Sequence, residues 1–296
     1  MESKENRKSG RRSLLRSAYE KSYKTWVIAR LTASEAMHQP VFFILLSVGT
    51  LLILSAFFLP LFTIGGEDRM MIKDMNLATI TLCGLLVAIL SSSNVVAQEI
   101  EKKTAFTVLS KPITRQQFVL GKFFGVALAI LVAVAALGVV FYARYYLYYR
   151  HLWGQALSPE AAAVYKSDWN TDMVCLFQGL VLSFLQVSIL AAIAVAISTR
   201  LPMAVNASFC LAVFVLGHMM ENLVRLVENR GAVASIVVRI TALILPNLGN
   251  TNIASSVSLG EKVAWAYIVL AAVYCLLYIV LGLVIAVALF REREVG

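Results

Sequence analysis

The sequence is poor in charge. Only 15% of its 296 residues are charged against 59% hydrophobic, and the mean hydropathy is +0.78. Soluble domains hold about 45–50% apolar residues, so a water-solvated globule of this length is excluded. Cysteine is scarce too: Cys83, Cys175, Cys210 and Cys275 each fall inside an apolar run and lack zinc spacing. They read as small hydrophobes, with no disulfide and no metal. No phosphate-binding loop G-x-x-x-x-G-K-[ST] is present, because Gly121-Lys122 lacks the earlier glycine and is followed by Phe123. No nucleophile–base–orienter set is visible, which argues against an enzyme. Ionisable residues are nearly absent from the interiors of the apolar runs, which argues against a proton- or sodium-coupled carrier, whose path needs them.

What remains is apolar length. Several runs reach the ~20 residues that a bilayer span requires. They predict an all-α integral membrane protein with six spans at 41–62, 77–97, 118–142, 173–197, 203–219 and 263–290, together forming one transmembrane domain over 41–296. Residues 1–23 are basic and Ser-rich and read as a disordered tail that faces anionic lipid rather than nucleic acid. No cleaved signal peptide is expected, since the first apolar run exceeds ~7–15 residues and no small-x-small site follows it. Residues 24–40 read as an interfacial amphipathic helix with Trp26, Ala29, Ala33 and Met37 near one face, before Pro40 turns the chain inward.

Between the spans, 63–76 and 151–171 read as polar loops, and Ser198-Thr199-Arg200-Leu201-Pro202 as a tight turn. Tyr145, Tyr146, Tyr148 and Tyr149 read as an aromatic belt at the interface. Residues 221–252 are too polar to span and read as an external amphipathic segment of two helices, ended by Pro246-Asn247-Leu248-Gly249-Asn250. Six spans put both termini on one side. That side, with the 98–122 stretch and Arg200, carries most of the chain's 26 lysines and arginines. The positive-inside rule therefore places termini and stretch in the cytoplasm.

The 98–122 stretch, QEIEKKTAFTVLSKPITRQQFVLGK, is longer than a tight loop between spans needs. Ala105, Phe106, Val108 and Leu109 sit at helical spacing, Ser110-Lys111-Pro112 stops that helix, and Thr114-Arg115-Gln116-Gln117 is a capping box that starts the next. A short amphipathic helix at the membrane edge suits docking.

Glu99-Ile100-Glu101-Lys102-Lys103-Thr104, then Val108-Leu109-Ser110-Lys111-Pro112, then Thr114-Arg115 and Gly121-Lys122, resemble the permease subunits of ABC transporters of the type-two exporter class. Ile100 stands where that pattern usually has Arg, and Lys103 where it usually has Gly. The resemblance implies a separate ATP-binding cassette ATPase that holds ATP and Mg, with no cofactor on this chain, and a permease dimer in a bacterial cytoplasmic (inner) membrane. It makes the 98–117 loop a coupling loop, with Glu99, Glu101, Lys102, Thr104, Phe106, Leu109, Ser110, Pro112, Arg115 and Lys122 at the ATPase-coupling site. The class moves unlike substrates, so none is implied.

Asn94, Gln178, Gln186 and Asn206 are candidates for a translocation path, although interhelical hydrogen bonds explain buried amides as well. Gly121-x-x-x-Gly125 allows close helix packing. His218, Glu221 and Arg225 cluster near the end of the fifth span, with too few ligands for zinc. Two other classes stay open: a non-transporting membrane anchor or regulator of an ATPase, and a secondary carrier, which needs an intramembrane acid or a broken midplane helix.

Overall fold

The structure is a computed structural model that describes residues 20, 22–56, 68–101, 114–155, 158–227, 238, 241, 245–249 and 263–291. Among these, every regular element is helical: α1 Ser22–Met37, α2 Pro40–Ser55, α3 Asp68–Glu101, α4 Arg115–Gln155, α5 Pro159–Ser198, α6 Met203–Val227 and α7 Trp265–Arg291. Five are long and apolar enough to cross a membrane, or up to six if α1 and α2 make one bent span. Helices satisfy their backbone groups internally, which hydrocarbon demands.

The α1–α2 break bends the chain by 64°. Pro40 sits at the start of α2 without a donor, and Gln39 before it is extended at φ −69°, ψ 135°. The buried face of α1 differs from the expected one. It consists of Ala29, Thr32, Ala33 and Ala36, while Trp26 is exposed. The reason is the neighbour: α1 lies against Gly121 and Gly125 of α4. A Cβ on those glycines would stand 2.7 Å from Ile28 and 2.4 Å from Thr32. Only small residues admit such an approach, so the Gly-x-x-x-Gly pattern is a packing seam.

Helix α5 is the hub, packed against α3, α4, α6 and α7. Two of its polar residues bond across helices: Ser183 accepts from Thr81 at 3.0 Å, and Gln186 meets His218. Helix α7 buries Ile268, Ala271, Cys275, Ile279, Leu283 and Ala286, while Leu270, Leu277 and Val284 are exposed. An apolar exposed face opposite an apolar packed face is what a lipid-facing helix shows.

Two expected loops are helical instead. Helix α3 begins at Asp68, inside the 63–76 stretch. Helices α4 and α5 have 41 and 40 residues, so most of 151–171 is helix and only 156–158 separate them. Each is about 60 Å long, twice the ~30 Å hydrocarbon thickness. Polarity did not mark a loop, because a helix that leaves the hydrocarbon can carry exposed polar residues such as Lys166, Ser167 and Asn170. Helix α6 likewise runs past the expected span to Val227. Most of 221–252 lies outside the described residues, but its end is placed. The Leu248 amide donates to the Gly217 carbonyl at 3.1 Å, and the Asn247 amide to the Tyr274 hydroxyl at 2.8 Å. Helix α2 covers the expected first span to Ser55, and 57–67 lie outside the described residues.

Candidate coupling site

The described part of the coupling region is the base of α4. Its start is the capping box that the sequence announced. The Thr114 amide donates to Gln117 Oε1 at 3.0 Å, and the Gln117 amide donates to Thr114 Oγ1 at 3.3 Å. The next turns tie this start to two other helices. Phe118 stacks on Phe290 of α7 with centroids 5.6 Å apart and planes at 19°. Arg115 Nη1 donates to the Phe290 carbonyl at 3.5 Å.

Lys122 does not reach outward as a docking cation. It is 2% exposed, lies 3.9 Å from Glu35 of α1 and sits over the Phe118 ring at 5.6 Å. There it ties α1 to α4 at the foot of the coupling loop. The cause is the glycine seam, which brings α1 over this side chain. Glu99 and Glu101 fall in the last turn of α3, with side chains outside the described residues. Lys102, Thr104, Phe106, Leu109, Ser110 and Pro112 lie outside the described residues altogether.

Three of the four amides are placed. Gln178 Nε2 donates to the Val263 carbonyl at 3.2 Å, linking α5 to the start of α7. Its Oε1 is buried without a partner, and the side chain lines a cavity of about 380 Å³ with Asn170, Cys175 and Trp265. Gln186 Nε2 lies 2.8 Å from His218 Nε2, and His218 Nδ1 lies 2.9 Å from the Phe214 carbonyl. A proton on Nδ1 satisfies both contacts. Asn206 Nδ2 donates to Ser93 Oγ at 2.7 Å, and its Oδ1 accepts from Cys210 at 3.4 Å. Each amide bridges two elements. The side chains of Asn94, Glu221 and Arg225 lie outside the described residues.

Sequence reasoning missed a buried ionic cluster. Lys73 Nζ on α3 donates to Asp172 Oδ1 on α5 at 2.8 Å, and the two side chains are 3% and 7% exposed. The hydroxyls of Tyr145 and Tyr149 on α4 donate to Asp172 Oδ2 at 2.6 and 2.9 Å. Both tyrosines are fully buried, and their rings pack on Trp169 at 6.3 and 5.2 Å. They are therefore no interfacial belt; of the four, Tyr146 is the one that is exposed. The available signal was i, i+4 spacing of Tyr145 and Tyr149 on a helix longer than its hydrophobic stretch. The cluster joins α3, α4 and α5 into one staple.

A chain whose described residues form only helices, five of them long and apolar enough to cross a membrane and with apolar faces exposed, is a polytopic integral membrane protein. Residues 26–295 match the family model described as ABC-2 family transporter protein, and the chain belongs to that family. It is thus a permease-type component of a transport system and not an enzyme by itself. No curated protein matches the sequence.

Proposed function

We propose that this chain is the membrane permease subunit of an ATP-driven exporter and that a separate ATP-binding cassette ATPase, carrying ATP and Mg, seats on the 98–117 coupling loop. The observation that carries this reading is the base of α4. There the loop's exit is locked by its capping box and bonded directly to α7, so a load on the loop reaches the helix bundle. The apolar face of Phe106 and Leu109 supplies docking area, and Lys102, Lys103 and Lys111 supply steering. Two copies of the chain pair with two ATPases, and ATP-driven closure shifts packed halves as rigid bodies. Six spans place both termini and the loop in the cytoplasm of a bacterial cell, and the 221–252 segment outside. Among the amides, Gln178 has the best support as a path residue, because it combines an unpartnered Oε1 with an adjoining cavity.

The experiment is affinity capture of the chain from membranes in mild detergent, with mass spectrometry of what accompanies it. A stoichiometric ATP-binding cassette protein is the expected result. A chain that returns alone, at levels where complexes survive, sinks the reading.

A further inference from the structure

The carboxyl end of α7 is held by cations drawn from elsewhere in the chain. A helix end leaves its last carbonyls without intrahelical partners and carries partial negative charge. Arg200, in the turn between α5 and α6, donates to the Leu289 carbonyl from Nε at 3.3 Å and from Nη2 at 3.1 Å. Arg115, the first residue of α4, donates to the next carbonyl, that of Phe290. Behind them Phe118 stacks on Phe290, and Val119, Val195, Ala196 and Ala286 close an apolar layer of their own, separate from the main core. Two segments thus converge on the end of α7: the loop exit and the α5–α6 turn. A guanidinium fork fixes direction as well as distance.

We propose that the carboxyl end of α7 is where this chain receives the displacement of its coupling loop, with Arg200 as the positioning residue that holds that end in register. The inference rests on the coupling reading above and deepens it. A shift of the loop exit moves Arg115 and Phe118, and neither moves without acting on Phe290. Helix α7 is a rigid rod of 27 residues packed along α5. Its Gly282 lies so close to α5 that a Cβ there would stand 3.2 Å from Ala192. Motion at its base therefore turns it against α5 and is felt at its other end, where the Val263 carbonyl accepts from Gln178 beside the cavity of about 380 Å³. The chain of contacts joins the loop exit to that cavity through one helix.

The test uses the full chain with the ATPase captured alongside it, in nanodiscs. A cysteine replaces the exposed Ala264 at the amino end of α7, and its reaction rate with a membrane-impermeant thiol reagent is read by peptide mass spectrometry, without nucleotide and with ATP plus vanadate. The native sequence elsewhere is expected to show a nucleotide-dependent change in rate. Arg200→Gln is expected to keep the ATPase in the complex and lose that change, and Arg200→Lys to restore part of it. Phe290→Leu, which removes the ring stack and keeps apolar bulk, is expected to show the same loss. An unchanged nucleotide response in Arg200→Gln and Phe290→Leu overturns this inference alone. Failure of the unsubstituted chain to hold an ATPase overturns the coupling reading and this inference together.

Discussion

Asp172 shows how much one side chain organises here. Its two oxygens serve three donors from two helices, so both oxygens are engaged. Desolvating an ion pair is costly, and such a pair repays it only when the remaining hydrogen bonds are satisfied. Asp172→Ala leaves Lys73 charged and buried, and is expected to cost about 3–5 kcal/mol. Lys73→Met with Asp172→Leu is expected to cost much less than that single change. Thermal unfolding in nanodiscs decides, and equal losses in the two variants would show that the pairing is not what matters. The cluster could not be read from the sequence because its members lie 99 positions apart on two helices that begin where loops were expected. Gly125 was legible by contrast, since small residues four apart mark a seam between helices. Gly125→Leu forces a side chain into Thr32 and the Ala29 carbonyl. It is expected to lower stability by about 1–3 kcal/mol and to raise the reactivity of a cysteine placed at the buried Ala33. No change in that reactivity would separate α1 from the seam.

Among the helices, the beginning of α4 was easier to read than its length. Thr114 and Gln117 announce α4 through a local pattern, and the structure closes the same two bonds. Thr114→Ala is expected to weaken that helix start by about 1 kcal/mol. Hydrogen exchange at the Gln117 amide should quicken accordingly, and unchanged protection would mean the box contributes nothing. The far ends of α4 and α5 were illegible for a physical reason. Hydropathy marks where a helix leaves hydrocarbon, and both helices continue beyond it. What sustains them is the aromatic cluster of Tyr145, Tyr149, Trp153 and Trp169 around Asp172, whose polar members would otherwise suggest a loop. The face of α1 was misread for a related reason. Helical spacing finds an apolar stripe, but the two glycines opposite it select small residues and leave Trp26 outside.

At the level of the whole chain, composition alone excluded a soluble domain, and the membrane class and family follow from the apolar helices and the match over 26–295. The amides were legible as residues that must find partners in lipid, and Gln186 and Asn206 do so across helices. Orientation is argued from lysine and arginine bias. A cysteine replacing Asp168 is expected to react with a membrane-impermeant thiol reagent in intact cells, and one replacing the exposed Gln116 to react only after lysis. The reverse labelling would invert the topology. The expected labelling would put the ionic staple of Lys73 and Asp172 toward the outside and the arginine-bound end of α7 toward the cytoplasm, where an ATPase would act.

The decisive measurement is capture of the ATPase by a chain carrying Phe106→Asp and Leu109→Asp, compared with the unsubstituted chain at equal expression. If the 98–117 loop is the docking element, the variant stays in the membrane with an unchanged melting temperature and comes back without its ATPase. An ATPase retained in full by a variant charged at both positions would mean that docking lies elsewhere, and the coupling account would have to be abandoned.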